Sequence, residues 1–222
     1  YACRNCEKES GESTIVAAPM PKSVLPGSLA SPSSASYILS QKYVEGMPLY
    51  RQEQSLARFG VELSRQTMAN WTIRLSELWL RPLYELMHEH LLREEILHGD
   101  ETSIQVLKEP GREPTSTSYM WLYRTGRDSP PIVLYDYQTG RSGKHAASFL
   151  EGFKGYLHVD GYAGYHSIPE VTLCGCWSHA RRGFTDALKA LPSGKREGKV
   201  LTDEAIAYCD KLFRIERSLN EL

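Results

Sequence analysis

Two aspartates carry the chemistry this sequence suggests. Asp100 stands in ILHGDETSIQVL, residues 96–107, and Asp160 in GYLHVDGYAGY, residues 155–165. Even the local pattern repeats, as Leu97-His98-Gly99-Asp100 and Leu157-His158-Val159-Asp160. Strand alternation places Ile96, His98, Asp100, Thr102, Ile104 and Val106 on one face, which is expected to be the buried one. An unpaired buried carboxylate is costly, so Asp100 must then meet a cation, a hydrogen-bond cage or a metal. Two carboxylates brought together would repel and raise a pKa unless divalent cations lie between them. Paired magnesium ions about 4 Å apart can activate an attacking oxygen and stabilise a leaving one at phosphorus. Taken singly, each Asp would read as a strand or turn cap; two on neighbouring strands point to function.

For the two residues to meet, their strands must be adjacent, and the pattern provides for that. From Ile96 the apolar period changes from 3.6 to 2, predicting strands at 96–107, 118–124 and 131–137. SGKHAASFLEGF then reads as a helix, GYLHVD as a strand, and VTLCGCWSH as a strand running into the helix ARRGFTDALKAL. The order β-β-β-α-β-β-α is a mixed α/β arrangement. Three antiparallel strands, a helix and a parallel return strand form the opening of the ribonuclease-H-like fold, in which strands one and four are neighbours. Gly161 and Gly164 let the backbone behind Asp160 turn sharply. Tyr162 and Tyr165 either stack on bases or pack against the sheet. His98 and His158 share a face with the Asp two residues on; magnesium prefers oxygen, so they read as supporting or packing residues.

The expected organisation is a partial zinc half-site and linker at 1–31, a helical region at 32–95, the sheet core at 96–192, and the start of a helical insertion at 193–222. Ser31 and Pro32 open a first helix that closes at Gly46; Pro48 and Gly60 bracket a second; Ser64 caps a third. On that third helix Met68, Trp71, Leu75 and Leu78 form an apolar stripe. Helices 48–59 and 65–75 make a helix-turn-helix candidate, with Arg65, Gln66 and Asn70 placed to read guanine and adenine edges; the alternative is an αα-hairpin. Arg181 and Arg182 open a stretch to Lys199 with six basic and two acidic residues, a candidate phosphate surface or a solvated helix face. Cys3 and Cys6 form half a zinc site. Cys174, Cys176 and His179 have metal-compatible spacing, with packing the favoured role.

Composition excludes several classes. The 222 residues are 41% hydrophobic and 24% charged with net charge −1, so any nucleic-acid surface must be local. No apolar run approaches membrane-spanning length, and five cysteines, an odd number, suit reduced thiols in a cytosol better than a disulfide framework. Tyr1 and a helical pattern still running at Leu222 suggest a piece of a longer protein.

LHGDET, LYDYQTGRSGKH, DGYAGY and GCWSHARRGF resemble the transposases of the bacterial insertion-sequence 66 family. YACRNCE, PGSLASPSSASYILSQKY and MPLYRQEQSLARFGVELSRQTMANW match the same family upstream and in order. The resemblance covers nearly the whole chain. It implies DDE-type DNA strand cleavage and strand transfer, with Asp100 and Asp160 as the first two carboxylates holding Mg2+ or Mn2+. It further implies DNA as partner, a homo-oligomer on DNA, a bacterial nucleoid-associated location, and Zn2+ at the cysteines of the longer protein. The family's third carboxylate is a downstream Glu in an Asn-Asn-x-x-Glu setting. Here Asn5, Asn70 and Asn220 are the only asparagines and none is paired. Glu204 and Glu216 belong to the helix before that motif. Two further classes stay open: a DNA-binding transposase remnant without catalysis, and a metal-dependent phosphohydrolase.

Overall fold

The computed structural model describes residues 8–9, 22–190 and 201–219. Cys3 and Cys6 lie outside them. The chain divides into two compact units, Tyr1–Leu83 and Tyr84–Leu222. That division falls inside a helix, ahead of the change of period at Ile96.

The first unit holds α1 (Pro32–Tyr43), α2 (Leu49–Arg58) and α3 (Arg65–Leu75). Ser31 caps α1 with a capping box completed by Ser34, and Ser64 accepts from Thr67 N–H at the start of α3. Gly46 and Gly60 follow α1 and α2 at φ 66° and 74°, a conformation that a Cβ would penalise. Met68, Trp71 and Leu75 are buried as the stripe predicts. Leu78 is half exposed, because α3 passes into a π-helical turn, Ser76–Leu80, which rotates the following side chains. Gln52 is buried on α2 and donates to the carbonyls of Met47 and Ile38, tying α2 to α1. Residues 22–30, expected to be linker, instead pack: Leu25 and Ala30 join the core of these helices, and Trp79 Nε1 donates to Val24 O. Their apolar side chains and turn-forming serines let an extended segment cover the helices.

α4 (Arg81–Leu92) leads into the second unit. There the strands are β1 (Ile96–Gln105), β2 (Thr117–Thr125), β3 (Val133–Gln138), β4 (Tyr156–Val159) and β5 (Thr172–Gly175), in sheet order β3-β2-β1-β4-β5. The first three are antiparallel, and β4 and β5 run parallel to β1. α5 (Gly143–Phe149) links β3 to β4, and α6 (Trp177–Lys189) follows β5. Trp177, Ser178 and His179, expected at the end of a strand, are the first turn of α6. This is the ribonuclease-H-like arrangement anticipated from the element order. One sheet face carries Leu97, Trp121, Tyr123, Leu134, Leu157 and Val159, which pack with Ala146 of α5 and Leu150 at its C-terminal cap. α7 (Leu201–Leu219) packs on α6. Among the described residues no helix is long and apolar enough to cross a membrane.

Candidate active site

The parallel ladder decides the site. Leu97 pairs with Leu157 and His98 with His158, so the two repeated tetrads run side by side in register. Leu97, Leu157 and Val159 point into the core, which turns His98, Asp100 and His158 to the opposite face; Asp160, directly after β4, joins His158 in lining a cleft there. The rings of His98 and His158 stack there at 4.9 Å. Burial and neighbouring cationic Arg124 push His98 below its ordinary pKa, with His158 adding to the effect.

The burial expected of Asp100 is corrected by the structure. Its face is the open one, and its side chain remains 53% exposed. The buried carboxylate is the next residue, Glu101, whose side chain is 1% exposed on the core face. The sequence gives adjacent acids; which one faces the core depends on what packs against the strand.

Glu101 is fully engaged. Arg141, in the loop before α5, donates to its Oε1 from Nε at 2.7 Å and NH2 at 2.5 Å. Tyr165 donates from its hydroxyl to Oε2 at 2.5 Å. Burial first, then this contact with an anion, pushes the Tyr165 hydroxyl far above the usual phenol range. The hydrogen bonds to Glu101 likewise hold Arg141 more firmly protonated. Arg141 also stacks on Tyr162 at 4.0 Å, and the Tyr162 hydroxyl donates to the Arg141 carbonyl. Tyr165 is buried edge-on against Trp121. Both tyrosines therefore have packing roles, the second of the two readings of this turn.

These contacts reach both aspartates. Asp100 Oδ1 accepts from the Glu101 N–H at 2.9 Å, and Asp160 Oδ1 accepts from the Tyr162 N–H at 2.8 Å. Asp160 Oδ2 lies 3.9 Å from Arg141 NH2, and Asp100 Oδ2 lies 3.7 Å from His179 Nε2. Hard divalent cations favour such carboxylate oxygens, so the donor type on this face fits magnesium or manganese. Among the described residues no group of three Asp, Glu, His or Cys side chains is placed to hold a metal ion. Cys174, Cys176 and His179 are included in that statement, and the two cysteines are free thiols. Beside Asp160 a cleft of about 730 Å3 is walled by His158, Cys174, Cys176, Trp177 and His179. Trp177 is 55% exposed there, an indole surface open to a flat partner.

The candidate DNA-contact residues differ in availability. Arg65, Gln66 and Asn70 are all exposed on α3, and Arg65 stacks over Tyr50 at 5.5 Å. Arg181 is held by Asp210 of α7 at 2.7 Å, whereas Arg182 is exposed without an ion pair among the described residues. Residues 191–199 of the basic stretch lie outside the described residues. Glu216 pairs with Arg127 at 2.8 Å, and Glu204 is exposed.

Curated relatives from Sinorhizobium fredii (strain NBRC 101917 / NGR234) carry the names uncharacterized protein y4qI, y4jD and y4hP. The first is 35% identical across 93% of this chain and 40% of its own length. The others are 31% identical, covering 99% and 100% of this chain and 43% and 42% of their own lengths. The chain thus spans less than half the length of the curated relatives it matches. A solved structure, a cryo-EM simian T-cell lymphotropic virus intasome in complex with PP2A regulatory subunit B56 gamma, aligns over 54% of this chain and 48% of its own. At a TM-score of 0.29 and 12% identity that likeness is too slight to bear on the fold. The family profile described as "Transposase IS66 family" matches residues 27–222, and the chain belongs to that family.

Proposed function

We propose that this chain is the DNA-binding and catalytic portion of a transposase that cuts and joins DNA by metal-dependent phosphoryl transfer. The observation that carries this reading is the in-register pairing of β1 and β4, which turns Asp100 and Asp160 to one open face. Asp100 and Asp160 are the residues that would hold Mg2+ or Mn2+. When bound, such cations supply positive charge at the phosphate and make a water or a 3′-hydroxyl a better nucleophile.

The chain's own residues do the rest. The Glu101 and Tyr162 amides orient the two carboxylates, and the cleft beside Asp160 offers Trp177 to an unpaired base. Arg182 contacts phosphate without regard to sequence, and Arg65, Gln66 and Asn70 read base edges. The third carboxylate of the family comes from outside the two strands described. Element ends and target DNA are the partners, and assembly on DNA is oligomeric. A second reading, DNA binding without catalysis, is favoured by the lack of a third ligating side chain among the described residues.

The test is metal-dependent nicking of DNA carrying the element's ends, with the chain alone and a longer protein carrying the third carboxylate side by side. We expect the longer protein to nick and the chain alone to bind the cation weakly without nicking. Asp100→Asn or Asp160→Asn then abolishes nicking. Cleavage that survives loss of either aspartate overturns the assignment, and absence of nicking by the longer protein supports the binding-only reading.

A further inference from the structure

Glu101 raises a question that orienting Asp100 does not answer. A single backbone N–H is enough to orient that carboxylate, yet the Glu101 side chain is buried with both oxygens occupied. Its cationic partner, Arg141, stands between two carboxylates: Glu101 at 2.5 Å and Asp160 at 3.9 Å. Arg141 also stacks on Tyr162, the residue whose N–H holds Asp160. A guanidinium held beside Asp160 by packing would cancel part of the negative charge that a cation needs there. It would do so permanently, since arginine does not lose its proton.

We propose that Glu101 is a positioning residue that compensates the charge of Arg141, so that Arg141 and Tyr162 hold Asp160 in place without neutralising it. The geometry forms a continuous chain of contacts from one aspartate to the other. The Glu101 N–H holds Asp100, the Glu101 side chain holds Arg141, the Arg141 carbonyl receives Tyr162, and the Tyr162 N–H holds Asp160. In this chain the adjacent acids of the Asp100-Glu101 pair divide the work between the two faces of the strand. One offers oxygens to the cation, and the other absorbs the positive charge of the scaffold. Tyr165 completes the second role by donating to the remaining oxygen of Glu101, so that the carboxylate has no reason to turn towards solvent.

The inference rests on the reading of Asp100 and Asp160 as a cation site, and the experiment separates the two. Mn2+ binding to the chain is measured by the electron paramagnetic resonance signal of the free ion, with thermal unfolding recorded for every variant. Glu101→Gln keeps the shape and acceptor oxygen but leaves Arg141 uncompensated; Mn2+ binding is expected to weaken about ten-fold. Glu101→Asp keeps the charge and is expected to bind within about threefold of the parent, as is the neutral pair Glu101→Gln with Arg141→Gln. A merely structural role for Glu101 would lower the unfolding temperature of Glu101→Gln without changing the Mn2+ affinity of the folded protein. Equal affinity of Glu101→Gln and the parent overturns the proposal, as does a double variant no better than Glu101→Gln. Should Glu101→Gln fail to fold, loss of Mn2+ binding by the folded double variant overturns it alone. If Asp160→Asn binds Mn2+ as the parent does, the cation site itself is misplaced.

Discussion

A methyl group tests whether the turn behind Asp160 is seated as described. Gly143 opens α5, and a Cβ there would fall 2.2 Å from Gly164 O, 2.8 Å from its Cα and 2.9 Å from its carbonyl carbon. These are backbone atoms, which cannot rotate away as a side chain can. Restoring an ordinary contact needs the helix start and the 3-10 turn Ala163–Ser167 to separate by roughly 1 Å, and overpacking of this kind costs about 1–3 kcal/mol. Against it, the gain from replacing Gly by Ala, about 0.5–1 kcal/mol within a helix, is at its low end at this first helical position. Gly143→Ala is therefore expected to destabilise by about 1–2 kcal/mol, lowering the melting temperature by roughly 4–8 °C. Gly183, within α6, has no atom within 4 Å of its ideal Cβ. Gly183→Ala keeps the helix gain without the clash and is expected to raise the melting temperature by about 2 °C. Differential scanning calorimetry on both variants reads the two signs. The seating of Gly164 against α5 is refuted if Gly143→Ala is as stable as the parent, or if the two substitutions shift stability alike.

Two further expectations follow from charged contacts. The Arg181 guanidinium beside Asp210 holds that carboxyl below its ordinary range, chiefly through their hydrogen bond. A lowered folded pKa means the contribution is complete above the ordinary carboxylate value of 3.8 and is lost as pH falls below it through the folded value. In an NMR titration of the side-chain carboxyl carbon, Arg181→Gln should move the Asp210 midpoint upward; an unchanged midpoint means the ion pair does not form in solution. For DNA, Arg182→Ala should weaken every duplex alike and reduce the salt slope by about 1, while Arg65→Ala should flatten preference among sequences. Fluorescence anisotropy with several duplexes at several salt concentrations distinguishes them, and parental behaviour in both variants removes DNA contact from these surfaces.

Much of the frame was legible because its signals are local. Ser31 and Ser64 announce helix starts through oxygens that reach backbone N–H groups three residues on, and Gly46 and Gly60 close helices where a left-handed turn is needed. The change of period at Ile96 located β1, and the repeated tetrads around Asp100 and Asp160 reported the strand pair that brings them to one face. Alternation shows which residues share a face, but it does not say which face meets the core. Alternation alone therefore allows Asp100 inside and gives no sign that Glu101 is the buried acid. The burial of Glu101 depends on Arg141 and Tyr165, 40 and 64 residues away in sequence, on a loop and a turn with no periodic pattern. Arg181 and Arg182 look equivalent as neighbours in sequence, yet only the packing of α7 on α6 ties one of them to Asp210. Caps, helix-closing glycines and alternation are properties of a short segment, so they can be read from the residues alone. The assignment of one acid to solvent and the next to a buried ion pair arises from contacts between segments far apart in the chain, which no local pattern encodes.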